Sequence, residues 1–195
     1  MPLGAARFGL SGADLGKLEL IQTQEISSAV AQVDFTSIQE SKYNVHFVTW
    51  NGIEVASNNN YIGARLSNDG GSSYESGSDY KEGWFEIQSL GNSEDSGAES
   101  HYRSSSNGEI RVSENFGNGS TEGASGYFYI YNAGNSSNVT SVSGHNAGLN
   151  TVGNILKAHG GGTYTASSTI NAFRLFDQNQ TNSFTGTVSL YGVTL

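Results

Sequence analysis

The stretch Thr169-Ile-Asn-Ala-Phe-Arg-Leu-Phe-Asp-Gln-Asn-Gln-Thr-Asn-Ser-Phe-Thr-Gly-Thr-Val-Ser-Leu-Tyr-Gly-Val193 decides the reading of the chain. Ile170, Ala172, Arg174 and Phe176 alternate with Asn171, Phe173 and Leu175, and further on Phe184, Gly186, Val188 and Leu190 alternate with Thr185, Thr187, Ser189 and Tyr191. A period of two is that of a half-buried β-strand, so the stretch predicts two strands joined by a polar turn. So regular a strand near the end of the chain predicts a central member of a sheet rather than a frayed tail, because termini are ordered when something ties them down. The expected architecture is a β-sandwich closed by this segment.

Working outward, the same period recurs. Residues 126–132 place Tyr127, Tyr129 and Tyr131 on one face and Phe128 and Ile130 on the other. Residues 43–50 are apolar on both faces, as a strand covered on both sides would be. Further strands are expected at 17–23, 29–35, 61–67, 83–90, 101–104, 109–113, 139–143 and 155–159. Turns are expected at Asn51-Gly52, at Asn68-Asp69-Gly70-Gly71 and at Asn107-Gly108, where a hairpin should form. Apart from 83–90, the segment 72–100 reads as loop. About ten strands with no convincing helix predict an all-β fold, a single jelly-roll-like antiparallel β-sandwich over residues 17–195. Residues 1–16, with four glycines among small side chains, predict an extended N-terminal arm.

Composition narrows the function classes. The chain has 195 residues, 35% hydrophobic and only 14% charged, so neutral Ser, Asn, Thr and Gly dominate the surface. A net charge of −9 with scattered basic residues argues against a nucleic acid partner, which requires clustered Lys and Arg. With no cysteine there is neither a disulfide framework nor a thiolate metal site. No run approaches the roughly 20 apolar residues of a membrane helix, which predicts a soluble protein without membrane insertion.

No catalytic motif stands out: nucleophile elbow, phosphate-binding loop and dinucleotide fingerprint are all missing from the sequence. The expectation is therefore a non-enzymatic protein without cofactor or bound metal. His46, His101, His145 and His159 are too widely spaced for a zinc motif, and His46 suits a packed strand position. The acidic series Asp69, Glu75, Asp79, Glu82, Glu86, Glu94, Asp95 and Glu99 reads as a solvated surface; a calcium site is the alternative, but the spacing does not fit an EF-hand loop. Tyr74, Asp79, Tyr80 and Trp84, in or beside the irregular region, form a candidate ligand site in which the rings would stack on a sugar. The competing reading has those rings plugging a loop against the core. The row Tyr127, Tyr129 and Tyr131 is a candidate oligomer contact, since tyrosine buries its ring at an interface while its hydroxyl stays bonded. Arg7, Phe8 and Leu10 are the large side chains with which the arm would dock on a neighbour.

Five stretches carry a resemblance: Leu18-Glu-Leu-Ile-Gln-Thr, Val33-Asp-Phe-Thr-Ser-Ile, Tyr43-Asn-Val-His-Phe, Leu66-Ser-Asn-Asp-Gly-Gly-Ser-Ser-Tyr and Gly186-Thr-Val-Ser-Leu-Tyr-Gly-Val. In this order they resemble a family of virion proteins from tailed phages of aquatic bacteria, over residues 18–193. The resemblance implies a structural or tail-fibre protein with a compact β-sandwich and gives no catalytic residues to carry over. It implies location in the virion, assembly as a homo-oligomer with a trimer favoured, contact with other virion proteins, and a host-surface glycan as a further partner. Capsid decoration through the arm and a free carbohydrate-binding module or glycan hydrolase are the alternatives. Residues 75–123 depart from the family pattern.

Overall fold

The computed structural model describes residues 17–89, 97–178 and 183–194. They form twelve strands and no helix: β1 (Leu18–Val30), β2 (Gln32–Phe35), β3 (Val45–Val55), β4 (Ile62–Ser67), β5 (Tyr80–Ser89) and β6 (Gly97–Asn107) in the first half. The second half contributes β7 (Ile110–Arg111), β8 (Ala124–Tyr131), β9 (Thr140–Leu149), β10 (Ile155–Tyr164), β11 (Ala172–Asp177) and β12 (Phe184–Val193). Two antiparallel sheets result, as expected for a β-sandwich. The large one has eight strands in the order β1-β12-β3-β8-β9-β10-β5-β6, and the small one has four in the order β2-β11-β4-β7.

The chain changes sheet at most of its connections. β1, β3, β8 and β12 lie in the large sheet, and β2, β4, β7 and β11, which precede or follow them in sequence, lie in the small one. Two pairs break the alternation. β5–β6 and β9–β10 both join the large sheet beyond β8, doubling it from four strands to eight.

Inner-face residues meet between the layers, as period-two alternation requires. Phe35 and Phe173 of the small sheet stack with ring centroids 4.7 Å apart, and Phe128 of the large sheet meets Phe173 edge to face at 6.1 Å. Trp50, Val48, Val188 and Leu190 are fully buried around them. Outside the small sheet, Arg174 clamps Asp34 with two hydrogen bonds of 2.6 and 2.7 Å, and Arg65 covers the Phe176 ring at 4.5 Å.

Four expectations need correction. The strands of the closing stretch are not a hairpin: β11 pairs with β2 and β4, while β12 lies between β1 and β3 in the other sheet. Asn51-Gly52 is not a turn but a bulge inside β3. Gly52 has φ +57° and the facing Gly186 φ +129°, so the pair absorbs a register shift that increases strand twist. Asn107-Gly108 does not close a hairpin either, because it carries the chain from β6 in the large sheet to β7 in the small one. Within 72–100, where the sequence predicts a strand only at 83–90, β5 begins earlier, at Tyr80, and β6 takes in residues 97–100.

The aromatic contact between the layers predicts a large truncation effect. Phe173→Ala should destabilise the fold by about 3–5 kcal/mol, the usual range for a fully buried Phe, read as a lowered urea midpoint.

Candidate functional site

The outer face of the large sheet carries rings in cross-strand register. Tyr191 of β12 faces Phe47 of β3, which faces Tyr129 of β8. One residue pair along, Tyr127 faces His145 of β9, His145 faces His159 of β10, His159 faces Phe85 of β5, and Phe85 faces His101 of β6. Phe47 contacts both Tyr127 (5.6 Å) and Tyr129 (4.8 Å), so the two segments form one ladder across seven strands. Tyr131 extends it along β8, stacked on Tyr129 at 5.8 Å.

From Tyr127 onward the ring spacings are 5.4, 5.6, 5.3 and 5.0 Å, one ring per strand. Tyr127, His145 and His159 lie nearly parallel, with interplanar angles of 27° and 22°. Near-parallel rings with centroids this far apart are offset stacks that run from strand to strand across the sheet. The three histidines and Tyr127 are exposed, and Phe47, Phe85, Tyr129, Tyr131 and Tyr191 half-buried.

A second cluster fills the space under β5 and β6. Glu82 and Glu86 point inward and, with Glu109 and Glu114, are buried. They are not part of a solvated acidic surface, because each alternates with outward residues of its strand or sits in the facing loop. The Arg111 guanidinium lies between the rings of Tyr61 (3.9 Å) and Tyr102 (4.2 Å) and donates to Glu114 at 3.0 Å. Glu82 accepts from the Arg111 amide at 2.6 Å and from the Asn107 side chain at 2.5 Å, and burial raises its pKa. Glu109 accepts from the Tyr61 hydroxyl at 2.6 Å, and burial together with this carboxylate pushes the hydroxyl up. The nearby Glu86 carboxylate adds to burial in favouring the protonated form of Glu114. Burial pushes Glu114 up to about 7, against the pull of Arg111.

The residues singled out from the sequence divide sharply. Tyr80 is fully buried, its hydroxyl accepting from the Leu66 amide at 2.9 Å, and Trp84 is buried against Gly160, where a Cβ would lie 2.8 Å from the indole. Neither offers a face to a ligand, which corrects the proposed sugar-stacking site: both rings point inward from β5. Tyr74 is half-buried with Arg174 at 4.0 Å over its ring, and Asp79 is exposed in the turn before β5. These four residues form no common surface. Tyr127, Tyr129 and Tyr131 do share the outer face, as expected. Arg7, Phe8 and Leu10 lie outside the described residues. His46 is buried with Nε2 2.8 Å from the Ile38 carbonyl, and burial lowers its pKa. The sequence reading missed the grouping of His101, His145 and His159. Each sits at an outward position of its strand, but their proximity depends on a register that pairs residues as far apart in sequence as Phe85 and His159. Among the described residues, no group of three or more His, Asp or Glu side chains is arranged to hold a metal ion.

Compared with models of protein families, with curated protein sequences and with solved structures, the chain has no match.

The raised Glu114 group gives stability a pH dependence of defined sign. Between its ordinary value of 4.5 and about 7 the folded protein holds a proton that the unfolded chain releases. Stability therefore falls as pH rises through this window. The urea midpoint should be lower at pH 8 than at pH 5, and Glu114→Gln should reduce the difference; an unchanged difference would count against the raised Glu114 group. Glu19 and Asp69, held at about 2 by hydrogen bonds, act only in more acidic solution.

Proposed function

We propose that this chain is a non-enzymatic structural protein of a phage virion, an adhesive domain of the tail apparatus or tail fibre that binds through the outer face of its large sheet. The observation that supports this best is the ring ladder: an exposed, continuous surface across seven strands, far wider than a core contact needs. The alternating sheet changes of β1, β2, β3, β4, β7, β8, β11 and β12 fit a jelly roll, with β5–β6 and β9–β10 as insertions that widen one sheet. A jelly roll of this kind agrees with the virion resemblance of residues 18–193.

The interior acidic cluster supports the non-enzymatic reading. Glu82, Glu86, Glu109 and Glu114 are buried, whereas glycosidase carboxyls flank a site open to a sugar and water. Buried Tyr80 and Trp84 also weigh against the hydrolase built on them. Assembly as a trimer through Tyr127, Tyr129 and Tyr131, with other virion proteins as neighbours, belongs to the same proposal. Capsid decoration through the arm is its nearest competitor.

Gold-labelled antibody against this chain, applied to purified particles of the encoding phage, tests the assignment. Label on the tail or its fibres is expected. Uniform label on the head would replace adhesion by decoration, and the lack of label on both intact and disrupted particles would refute the virion reading.

A further inference from the structure

Charge is distributed unevenly over the ladder face. Its three central rows run across the sheet from β1. One comprises Leu18, Val193, Val45, Tyr131, Ser141, Thr163 and Lys81, by register. The next passes through Leu20, Tyr191, Phe47 and Tyr129 to Ser143, Gly161, Gly83 and Arg103, and the third through Thr23, Ser189, Thr49 and Tyr127 to the three histidines and Phe85. These described residues include Lys81, Arg103 and three histidines but no carboxylate, in a chain of net charge −9. The row beyond the histidines adds Lys157 between Ala147 and Ile87, with Glu99 at its far end. The acidic residues of the chain are thus kept off the middle of this face.

Beside the histidine row lies a shallow trough. Gly83 and Gly161 lie in it with Ser141, Thr163, Lys81 and Ser104 around them, and Ser143 and the histidine row follow along the strands by register. The Ser141 and Thr163 hydroxyls are 3.2 Å apart. Ring edges carry the positive part of the aromatic quadrupole, and histidine edges add N–H donors. Exposed histidines, hydroxyls and two flanking lysines select a linear ligand with anionic groups and hydrogen-bonding oxygens at short intervals.

We propose that the trough and the ladder beside it, from Tyr127 to His101, bind an acidic polysaccharide lying across strands β8, β9, β10, β5 and β6. A sugar residue advances such a chain by roughly 5 Å, close to the inter-strand spacing of about 4.8 Å. One ring per strand, with centroids 5.0–5.6 Å apart, therefore matches one sugar per strand. Carboxylates or sulfates would take the Lys81, Arg103, Lys157 and histidine donors, and sugar hydroxyls would take Ser141, Ser143 and Thr163. A nucleic acid is the poorer fit, since so few fixed cations cannot replace the counterions of a phosphate backbone on a protein of this net charge. The proposal rests on the adhesive reading of the same face.

Affinity electrophoresis of the purified chain in gels containing alginate, carrageenan or neutral dextran tests it, with a thymidine oligonucleotide as competitor. Retardation by alginate or carrageenan, weakened by salt and little affected by dextran or oligonucleotide, is expected. His159→Ala and the pair Lys81→Ala with Lys157→Ala should each weaken binding about tenfold, the loss expected for removed charge-assisted hydrogen bonds. All three side chains are exposed, so thermal unfolding of the variants should match the parent. Lys42→Ala, on the turn before β3 and outside these rows, should leave binding unchanged. No retardation by either anionic polymer, equal retardation by dextran, displacement by the oligonucleotide at equal charge, or full binding by the His159 and lysine variants would each overturn the proposal. Failure here leaves the particle-labelling result untouched, so the ligand and the virion assignment fall separately.

Discussion

The unequal width of the two sheets is the constraint on which the rest of the molecule depends. Four strands cannot cover the inner face of eight. β7, the last strand of the small sheet, reaches only two residues, and beyond it no strand of that sheet continues. The inner faces of β5 and β6 must still be closed, because exposed inward backbone and half-buried side chains would be costly. The chain closes them with Arg111 between two tyrosines and with four glutamates, which accept hydrogen bonds from Arg111, Asn107, Tyr61, Arg65 and Gln88. An apolar core is replaced there by a polar one whose stability depends on every partner being present.

The same widening produces the outer face. β8 would otherwise be an edge strand with a row of free N–H and C=O groups, a template for unwanted pairing. β9, β10, β5 and β6 continue its ladder of hydrogen bonds, and each adds one outward ring in register with the last. Consequently the polar interior and the ring-bearing exterior are two sides of one event, the addition of two strand pairs to one sheet. Phe85 on the outside and Trp84, Glu82 and Glu86 on the inside are consecutive or alternate residues of β5, so a change of register in this strand would disturb both surfaces at once.

This explains what the sequence made legible. Strands whose inner face meets the aromatic core, such as β8 and β12, show the apolar alternation that identifies them. β6 does not, because its inward residues face Arg111 and the glutamates rather than hydrophobes, and its Ser-rich run looks like loop. β9 and β10 were visible only as the short pieces 139–143 and 155–159, since Gly144, Gly148 and Gly160 to Gly162 interrupt the pattern. Asn51-Gly52 and Asn107-Gly108 signalled positive φ or chain reversal correctly as local chemistry, but a bulge and a sheet change use the same residues as a turn. Of the site, the tyrosine row was legible because it lies on one strand. The histidines were not, because each comes from a different strand and only the register brings them together. The apolar outer side of β3, Val45 and Phe47, was a usable clue: a strand at a sandwich surface has no need of such residues unless that surface meets something.

The ladder also divides where the inserted strands begin. On the β12, β3 and β8 side its central rows hold Tyr191, Phe47, Tyr127, Tyr129 and Tyr131 without a fixed charge; on the β9, β10, β5 and β6 side they hold the histidines, Lys81 and Arg103. In the proposed trimer, a patch facing the three-fold axis is brought close to its two copies. For the uncharged tyrosine half this is favourable, since rings bury well against rings. For the charged half it would oppose like charges, which an interface avoids and a polyanion relieves. The proposed self-association and the proposed ligand binding would thus fall, by charge, on adjacent halves of one face, the first on β12, β3 and β8 and the second on β9, β10, β5 and β6.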